Sequence, residues 1–312
     1  MANPYLSIVV PVYNEADNLE NLCSRLTTVL DAYGKSYEII LVNDGSSDSS
    51  EVILDTLFKK RPEIIRVVHF NGNYGQHMAI MAGFEQVRGE IAVTLDADLQ
   101  NPPEEIPKLV EAIEAGHDYV GSVRKNRQDT WFRRNASRLN NAIRSRITRI
   151  VMNDQGCMLR AYKRNIIDAM LASKESTIYI PALAYSYASH PTEVEIEHSN
   201  RVAGESKYNL YKLLRLNFDI MTGFSLVPLQ IFTLIGLLSS LVSGLFVVFL
   251  IVRRFVVGPE AEGIFTLFAI LYFLISIALM GLGIIGEYIG RIHQEVRQRP
   301  PYIVNRIVEK NG

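Results

Sequence analysis

Two stretches of this sequence constrain the chain more than any motif does. From Leu229 to Val252, and again from Gly263 to Gly286, no charged residue occurs. As helix, at about 1.5 Å per residue, each run reaches ~36 Å, more than the ~30 Å of a bilayer's hydrocarbon core. Two membrane spans are therefore expected within residues 229–286, joined by a short loop. With two spans, the domain before them and the tail at 287–312 lie on the same side. Lys207, Lys212 and Arg215 before the first run and Arg291, Arg297 and Arg299 after the second favour the cytoplasm for both, while Arg253 and Arg254 in the loop pull the other way. Ahead of the first run, Lys207 to Phe224 places Leu210, Leu213, Leu214, Phe218 and Met221 at helical spacing. Residues 206–228 thus read as an amphipathic helix on the membrane surface, or as an ordinary core helix, because both carry the same periodicity.

Residues 1–205 have the composition of a globular domain with enough apolar residues for one sizeable core. The whole chain is balanced in charge, with 32 basic against 33 acidic residues. Apolar runs alternate with helical patterns, the arrangement of an α/β domain whose mostly parallel sheet is flanked by helices. Strands are expected near Leu6–Val12, Glu38–Val42, Ile65–Phe70, Ile91–Leu95 and Tyr119–Gly121, and helices near Asn18–Tyr33, Ser49–Lys60, Gly75–Val87 and Glu104–Ala115. A dinucleotide-binding fold fails on detail. The first strand runs into Pro11-Val12-Tyr13-Asn14-Glu15, not into a glycine-rich phosphate loop. Met1 to Pro4 carries neither a basic region nor an apolar run, so no cleaved leader is expected. Cys23 and Cys157 are expected to be reduced, buried thiols.

Chemistry is signalled where the apolar strand Ile91–Leu95 meets Asp96-Ala97-Asp98-Leu99-Gln100 and two prolines. Side chains two apart in a strand share a face, so both carboxylates project from the strand's carboxyl end, where open α/β sheets bind ligands. At ~7 Å and an effective dielectric of ~20 they repel by roughly 2 kcal/mol. A hard divalent cation between them removes that cost, and Mg²⁺ is usually held by one or two carboxylates plus substrate phosphates. The plainer reading is an acid-rich helix start, because Pro102, Pro103, Glu104 and Glu105 open a helix.

Ser7-Ile8-Val9-Val10-Pro11-Val12-Tyr13-Asn14-Glu15, then Val42-Asn43-Asp44-Gly45-Ser46-Ser47-Asp48, then Asp96-Ala97-Asp98 resemble, in order, the signature of the GT-A family 2 glycosyltransferases. Leu95 to Pro103, Gly204-Glu205-Ser206-Lys207-Tyr208 and the two apolar runs resemble the polyisoprenyl-phosphate branch. Asn73-Tyr74-Gly75-Gln76-His77, Arg124 to Asp129 and Gly156 to Tyr162 are most similar to the subfamily that moves 4-deoxy-4-formamido-L-arabinose to undecaprenyl phosphate in lipid A modification. The resemblance implies a GT-A fold and an inverting transfer from a UDP-sugar to undecaprenyl phosphate at the bacterial inner membrane, with no nucleic-acid partner. It also implies Mg²⁺ or Mn²⁺ at Asp96, Asp98 and Gln100, with Asp98 in a catalytic role. Pro11, Tyr13, Glu15, Asp44, Asp96 and Ala97 map onto the family's nucleotide-sugar contacts, and assembly into homo-oligomers is a family habit. Asp44 and Asp48 also suit a turn and a helix cap, and Gly75 could simply open a helix. His77 reads as a neutral side chain, buried or near the donor, because no second His or Cys stands at ligand spacing.

Acceptor chemistry shows in charge. From Ser122 to Ile150 the chain carries Arg124, Lys125, Arg127, Arg133, Arg134, Arg138, Arg144, Arg146 and Arg149 against the single acid Asp129. A solvated face or nucleic-acid binding could explain such a run, but beside membrane spans it suits anionic headgroups and a lipid phosphate, with Trp131 and Phe132 at the interface. By similarity Arg124, Arg133, Arg134, Ser137, Arg201 and Lys207 are candidates for the acceptor phosphate, and Asp154 falls where the family carries a catalytic carboxylate. A phosphate monoester with a second pKa near ~6 is already mostly dianionic at neutral pH, so Asp154 is expected to orient groups more than to remove a proton. A processive polysaccharide synthase would need more spans and a Gln-x-x-Arg-Trp motif, which the sole tryptophan does not supply. Glucose or N-acetylhexosamine donors, and a non-catalytic UDP-sugar-binding protein, stay open at this point.

Overall fold

The computed structural model describes residues 3–125, 152–154, 156–173, 179–197, 227–258, 264–297 and 300–310. The chain divides into two compact units: residues 1–145, 150–207 and 299–312 form one, and residues 146–149 and 208–298 the other.

The first unit is built on an eight-stranded sheet in the order β7-β5-β6-β4-β1-β2-β3-β8. Its first half alternates regularly: β1 Leu6–Val12, α1 Ala16–Tyr33, β2 Tyr37–Asn43, α2 Ser50–Lys60, β3 Ile65–Phe70, α3 Gln76–Glu85 and β4 Ile91–Thr94. Strands β4, β1, β2 and β3 are parallel neighbours, buried on both faces, which is why they read as largely apolar runs with few polar residues. Helix α1 turns Leu19, Leu22, Cys23, Leu26 and Leu30 to the core. It stops at Gly34, whose left-handed φ of 75° lets its N–H close onto the Leu30 carbonyl at 3.3 Å. A short 3₁₀ turn at Pro103–Glu105 leads into α4, Ile106–Glu114, as the two prolines signal.

Beyond β5, Tyr119–Arg124, the order changes. β6, Arg160–Lys163, inserts antiparallel between β4 and β5, followed by α5, Arg164–Ala172, and α6, Ile180–Tyr187. β7, Pro191–Ile196, runs parallel to β5 at one edge. At the opposite edge, residues assigned in the sequence to a separate tail form β8, Val304–Val308, antiparallel to β3.

The second unit contains α7, Val227–Val257, and α8, Ile264–Arg297. The Phe232 ring lies over Gly281, where a Cβ would fall 1.8 Å from its Cζ, so glycine is what admits this close helix contact. Within α8, Ile270–Gly290 is long and apolar enough to cross a membrane, with a mean hydropathy of 2.1. Among the described residues it is the one such stretch, against the two expected from the uncharged runs. Residues 206–226, the expected amphipathic helix, lie outside the described residues.

Candidate active site

The carboxyl ends of β1, β2 and β4 gather the sequence-marked residues. β4 ends at Thr94, but the alternation persists past it. Leu95, Ala97 and Leu99 are buried, while Asp96, Asp98 and Gln100 are half-buried on the other side. Leu95 N–H still reaches the Val9 carbonyl at 3.1 Å. The turn closes with Gln100 N–H donating to Asp98 Oδ1 at 3.1 Å and with Leu99 at a φ of 60°, a conformation few non-glycine residues adopt. Gln100 thus enters through its main chain, and Ala97 turns its methyl into the core.

Asp96 is the most perturbed carboxylate of this group. Burial first, and then the neighbouring charge of Asp98, push its pKa up to about 7. The Gln76 amide donates to Asp96 Oδ1 at 2.5 Å and Asn101 Nδ2 approaches Oδ2 at 3.4 Å, while Arg124 and Glu15 act on it electrostatically with opposite signs. Among the described residues no set of three or more His, Cys, Asp or Glu side chains gathers as a protein-only metal cage. Two adjacent carboxylates, one of them costly to ionise without a cation, are instead a donor set that fits a hard divalent ion sharing its shell with a ligand's phosphates.

Asp44, buried at the end of β2, accepts the N–H of Tyr74 at 2.6 Å and of Gly75 at 2.9 Å, one on each oxygen. Burial raises its pKa, and these two bonds pull against that shift. Its first use is therefore to fix the loop between β3 and α3, with lone pairs left for a ligand. Asp48 behaves as a cap: its oxygens take the N–H of Ser50 at 2.9 Å and of Ala16 at 3.2 Å. Burial opposes ionisation there, yet these bonds hold the carboxyl below its usual value. Pro11 pairs with Val42 near the end of β1, and Tyr13 just beyond is 49% exposed, an open aromatic face. Asn14, at a φ of 56°, ties that turn to Ser46 and Ser47. Glu15 accepts from Asn18 Nδ2 at 2.7 Å.

Arg124, at the end of β5, meets buried Asp154 in a two-pronged ion pair, and Gly156 N–H adds a third bond to Asp154 Oδ1 at 3.2 Å. Arg160 is fully buried and grips this loop by its main chain, Nε to the Cys157 carbonyl at 2.7 Å and Nη2 to the Asp154 carbonyl at 2.7 Å, with Nη1 on Tyr119 Oη. Gln76, Asn101 and Arg160 were not singled out by sequence reasoning, although each lies in a motif quoted there. His77 packs edge-on against Tyr179 at 5.1 Å, and burial, aided by the Arg160 charge, pushes it down to about 4, so it is neutral at physiological pH. Cys23 and Cys157 are both free and buried. Arg133, Arg134, Ser137, Arg201 and Lys207, with Trp131 and Phe132, lie outside the described residues.

Residues 7–171 match the family described as Glycosyl transferase family 2. Over 309 residues the chain is 48% identical to the undecaprenyl-phosphate 4-deoxy-4-formamido-L-arabinose transferase of Edwardsiella ictaluri, covering 98% of this chain and 95% of that protein. The enzyme of the same name from Aeromonas hydrophila is 47% identical over 306 residues, covering 97% and 94%. Among solved structures, glucosyl-3-phosphoglycerate synthase from Mycobacterium tuberculosis, in complex with Mn²⁺, UDP-glucose and phosphoglyceric acid, aligns with a TM-score of 0.50 at 16% identity, covering 70% of this chain and 78% of that one, a likeness of fold.

Proposed function

The chain belongs to glycosyl transferase family 2, and from that premise we propose that it transfers 4-deoxy-4-formamido-L-arabinose from a UDP-linked donor to undecaprenyl phosphate, for lipid A modification. The observation that carries this reading is identity of 48% sustained over nearly the full length of both chains, including the segments beyond the catalytic sheet. The reaction is a single displacement: an oxygen of the lipid phosphate bonds to the anomeric carbon, the bond to UDP breaks with its electron pair leaving on the diphosphate, and configuration inverts.

Several of the described residues have a part in that scheme. Tyr13 offers its open ring to the uracil, while Glu15 and Asp44 accept from the nucleoside. Asp96 and Asp98 would hold the divalent ion, Mg²⁺ or Mn²⁺, through hard oxygens, with Gln76 and Asn101 orienting Asp96. The ion, when bound, neutralises charge on the departing diphosphate. Arg124 is held ready for the acceptor phosphate by Asp154, which acts as an orienting group. Arg133, Arg134, Ser137, Arg201 and Lys207 complete the acceptor side in this reading, on charge and similarity alone.

Connectivity supports a two-span anchor. The chain leaves the sheet unit after β7 and returns to it as β8, hydrogen-bonded to β3. A segment that starts and finishes in one folded unit crosses a bilayer an even number of times. With Ile270–Gly290 as one crossing, α7 is proposed as the other, and the basic flanks favour the cytoplasm for the sheet unit.

The test is UDP release by the full chain in lipid nanodiscs. Release that needs both undecaprenyl phosphate and Mn²⁺ or Mg²⁺, and that favours the formamido-arabinose donor over UDP-glucose and UDP-N-acetylglucosamine, is expected. Full turnover after chelation, or equal rates without the lipid phosphate, contradicts the reading.

A further inference from the structure

We propose that β8 is a working part of the donor site and that Tyr302 is a positioning residue within it, an inference that rests on the donor reading above. Residues 71–75, between β3 and α3, give Asp44 two of its bonds, from Tyr74 and Gly75 N–H. The next residue, Gln76, reaches Asp96. One short loop and the first helical residue after it therefore orient two carboxylates, Asp44 and Asp96. The loop also rests directly on the turn after β2. A Cβ on Gly45 would fall 2.3 Å from the Gly72 carbonyl carbon and 2.7 Å from Asn73 N, so a small shift of the loop is transmitted to Asp44.

What fixes the loop from behind is the tail. The Tyr302 ring stacks on Phe70 at 5.0 Å between centroids and 15° between planes, and Phe70 meets Tyr74 edge-on at 5.6 Å and 90°. Phe70, the last residue of β3, is thus clasped between a tail ring and a loop ring. Tyr302 Oη donates to Glu85 Oε1 at 2.6 Å, at the far end of α3, so one side chain ties down both ends of the segment that contains the loop. The main chain adds to this: Asn71 N–H donates to the Ile303 carbonyl at 3.2 Å, and Tyr74 Oη closes on Asn71 Oδ1 at 2.7 Å. None of these contacts involves the Arg124–Asp154 pair, so the tail acts on the donor side alone.

The experiment uses the full chain in nanodiscs with Tyr302→Phe, Tyr302→Leu and Tyr302→Ala. UDP binding in the presence of Mn²⁺ is measured by calorimetry, and KM is measured separately for donor and acceptor. Losing the stacked ring in the Ala and Leu variants is expected to weaken UDP binding and raise the donor KM about tenfold. The acceptor KM stays unchanged, and the Phe variant, which keeps the stacked ring but loses the bond to Glu85, falls between wild type and the Ala variant. Wild-type affinity for UDP in Tyr302→Leu, or donor and acceptor parameters falling together with Phe no better than Ala, overturns the proposal. Tyr302→Leu keeps apolar bulk and carries the test if the alanine variant does not fold. A wild-type chain that fails to bind UDP sinks the donor reading and this proposal together, whereas the other failures sink the proposal alone.

Discussion

Arg124 and Asp154 face each other through two N–H···O bonds, Nε to Oδ2 at 2.6 Å and Nη2 to Oδ1 at 2.9 Å. A forked guanidinium on a carboxylate is a directional contact, so each side chain sets the other's orientation. The sequence assigned them separate duties, one to the acceptor phosphate and one to catalysis; the geometry makes them one unit. Asp154→Ala and Arg124→Ala should each lower turnover by about 10²-fold, the scale set by a misplaced binding group, and the double variant should fall no further than the poorer single. Steady-state rates of the three variants check this. Losses that multiply would mean that the two groups act independently.

Gln76 reaches Asp96 from the first turn of α3 and helps to hold the carboxylate that the proposed cation needs. Groups that orient a ligand without touching the ion typically contribute about 10- to 100-fold in metal affinity. Gln76→Ala should therefore raise the Mn²⁺ concentration for half-maximal rate by about tenfold and leave the rate at saturating Mn²⁺ largely intact. A metal titration of activity decides it. A fallen plateau at unchanged metal requirement would assign Gln76 to the substrate instead.

The sheet's centre was legible because β1 and β3 are buried on both faces and are mostly apolar, Ser7, Arg66 and His69 being the exceptions, so their bounds follow largely from apolar runs. β6 is hidden because Arg160-Ala161-Tyr162-Lys163 is four residues with a charge at each end; the sheet's pairing, not its own pattern, makes it a strand. β7 carries two glutamates at a sheet edge, and β8 pairs with a strand that precedes it by most of the chain. Asp96 and Asp98 could be found because two carboxylates on one face need a reason. Gln76 and Asn101 could not, since amides are ordinary surface residues until a fold aims them at a charge. Asp44 shows the opposite case. Its side chain was expected to serve the nucleotide, and its two backbone bonds depend on a loop that only the folded chain brings alongside.

β8 also brings Arg306 to Asp55 Oδ2 at 2.7 Å and to Glu51 at 2.9 Å, while the other oxygen of Asp55 meets His69 Nε2 at 3.1 Å. Burial works against ionised Asp55, but the Arg306 and His69 bonds hold its pKa below the ordinary value. Burial, with the Arg306 charge, also holds His69 low. A depressed folded pKa contributes stability above the unfolded value that is lost as pH falls. For His69 the loss begins near about 6.5, and for Asp55 near about 3.9. Arg306→Met eases both depressions, leaving the burial of His69 and the His69 bond to Asp55 in place, so it should melt lower than wild type at neutral pH while losing less on acidification. Thermal melts from pH 7 to 4 should show the two curves converging. Parallel curves would assign Arg306 a contribution unrelated to these two groups.

The even number of crossings inferred from β8 predicts where the loop between α7 and α8 lies. Cys23 and Cys157 are both buried, and burial pushes the Cys23 thiol up to about 12, so the native thiols form a quiet background for labelling. Glu260→Cys lies in the sequence between the two helices, and Lys310→Cys follows β8 at the end of the sheet unit. In intact cells with a permeable outer layer, a membrane-impermeant maleimide should label the first variant and not the second, and disruption of the inner membrane should make both reactive. The reverse pattern would invert the topology. Equal labelling of both in intact cells would place the two segments on one outer side and remove the two-span anchor from the proposal.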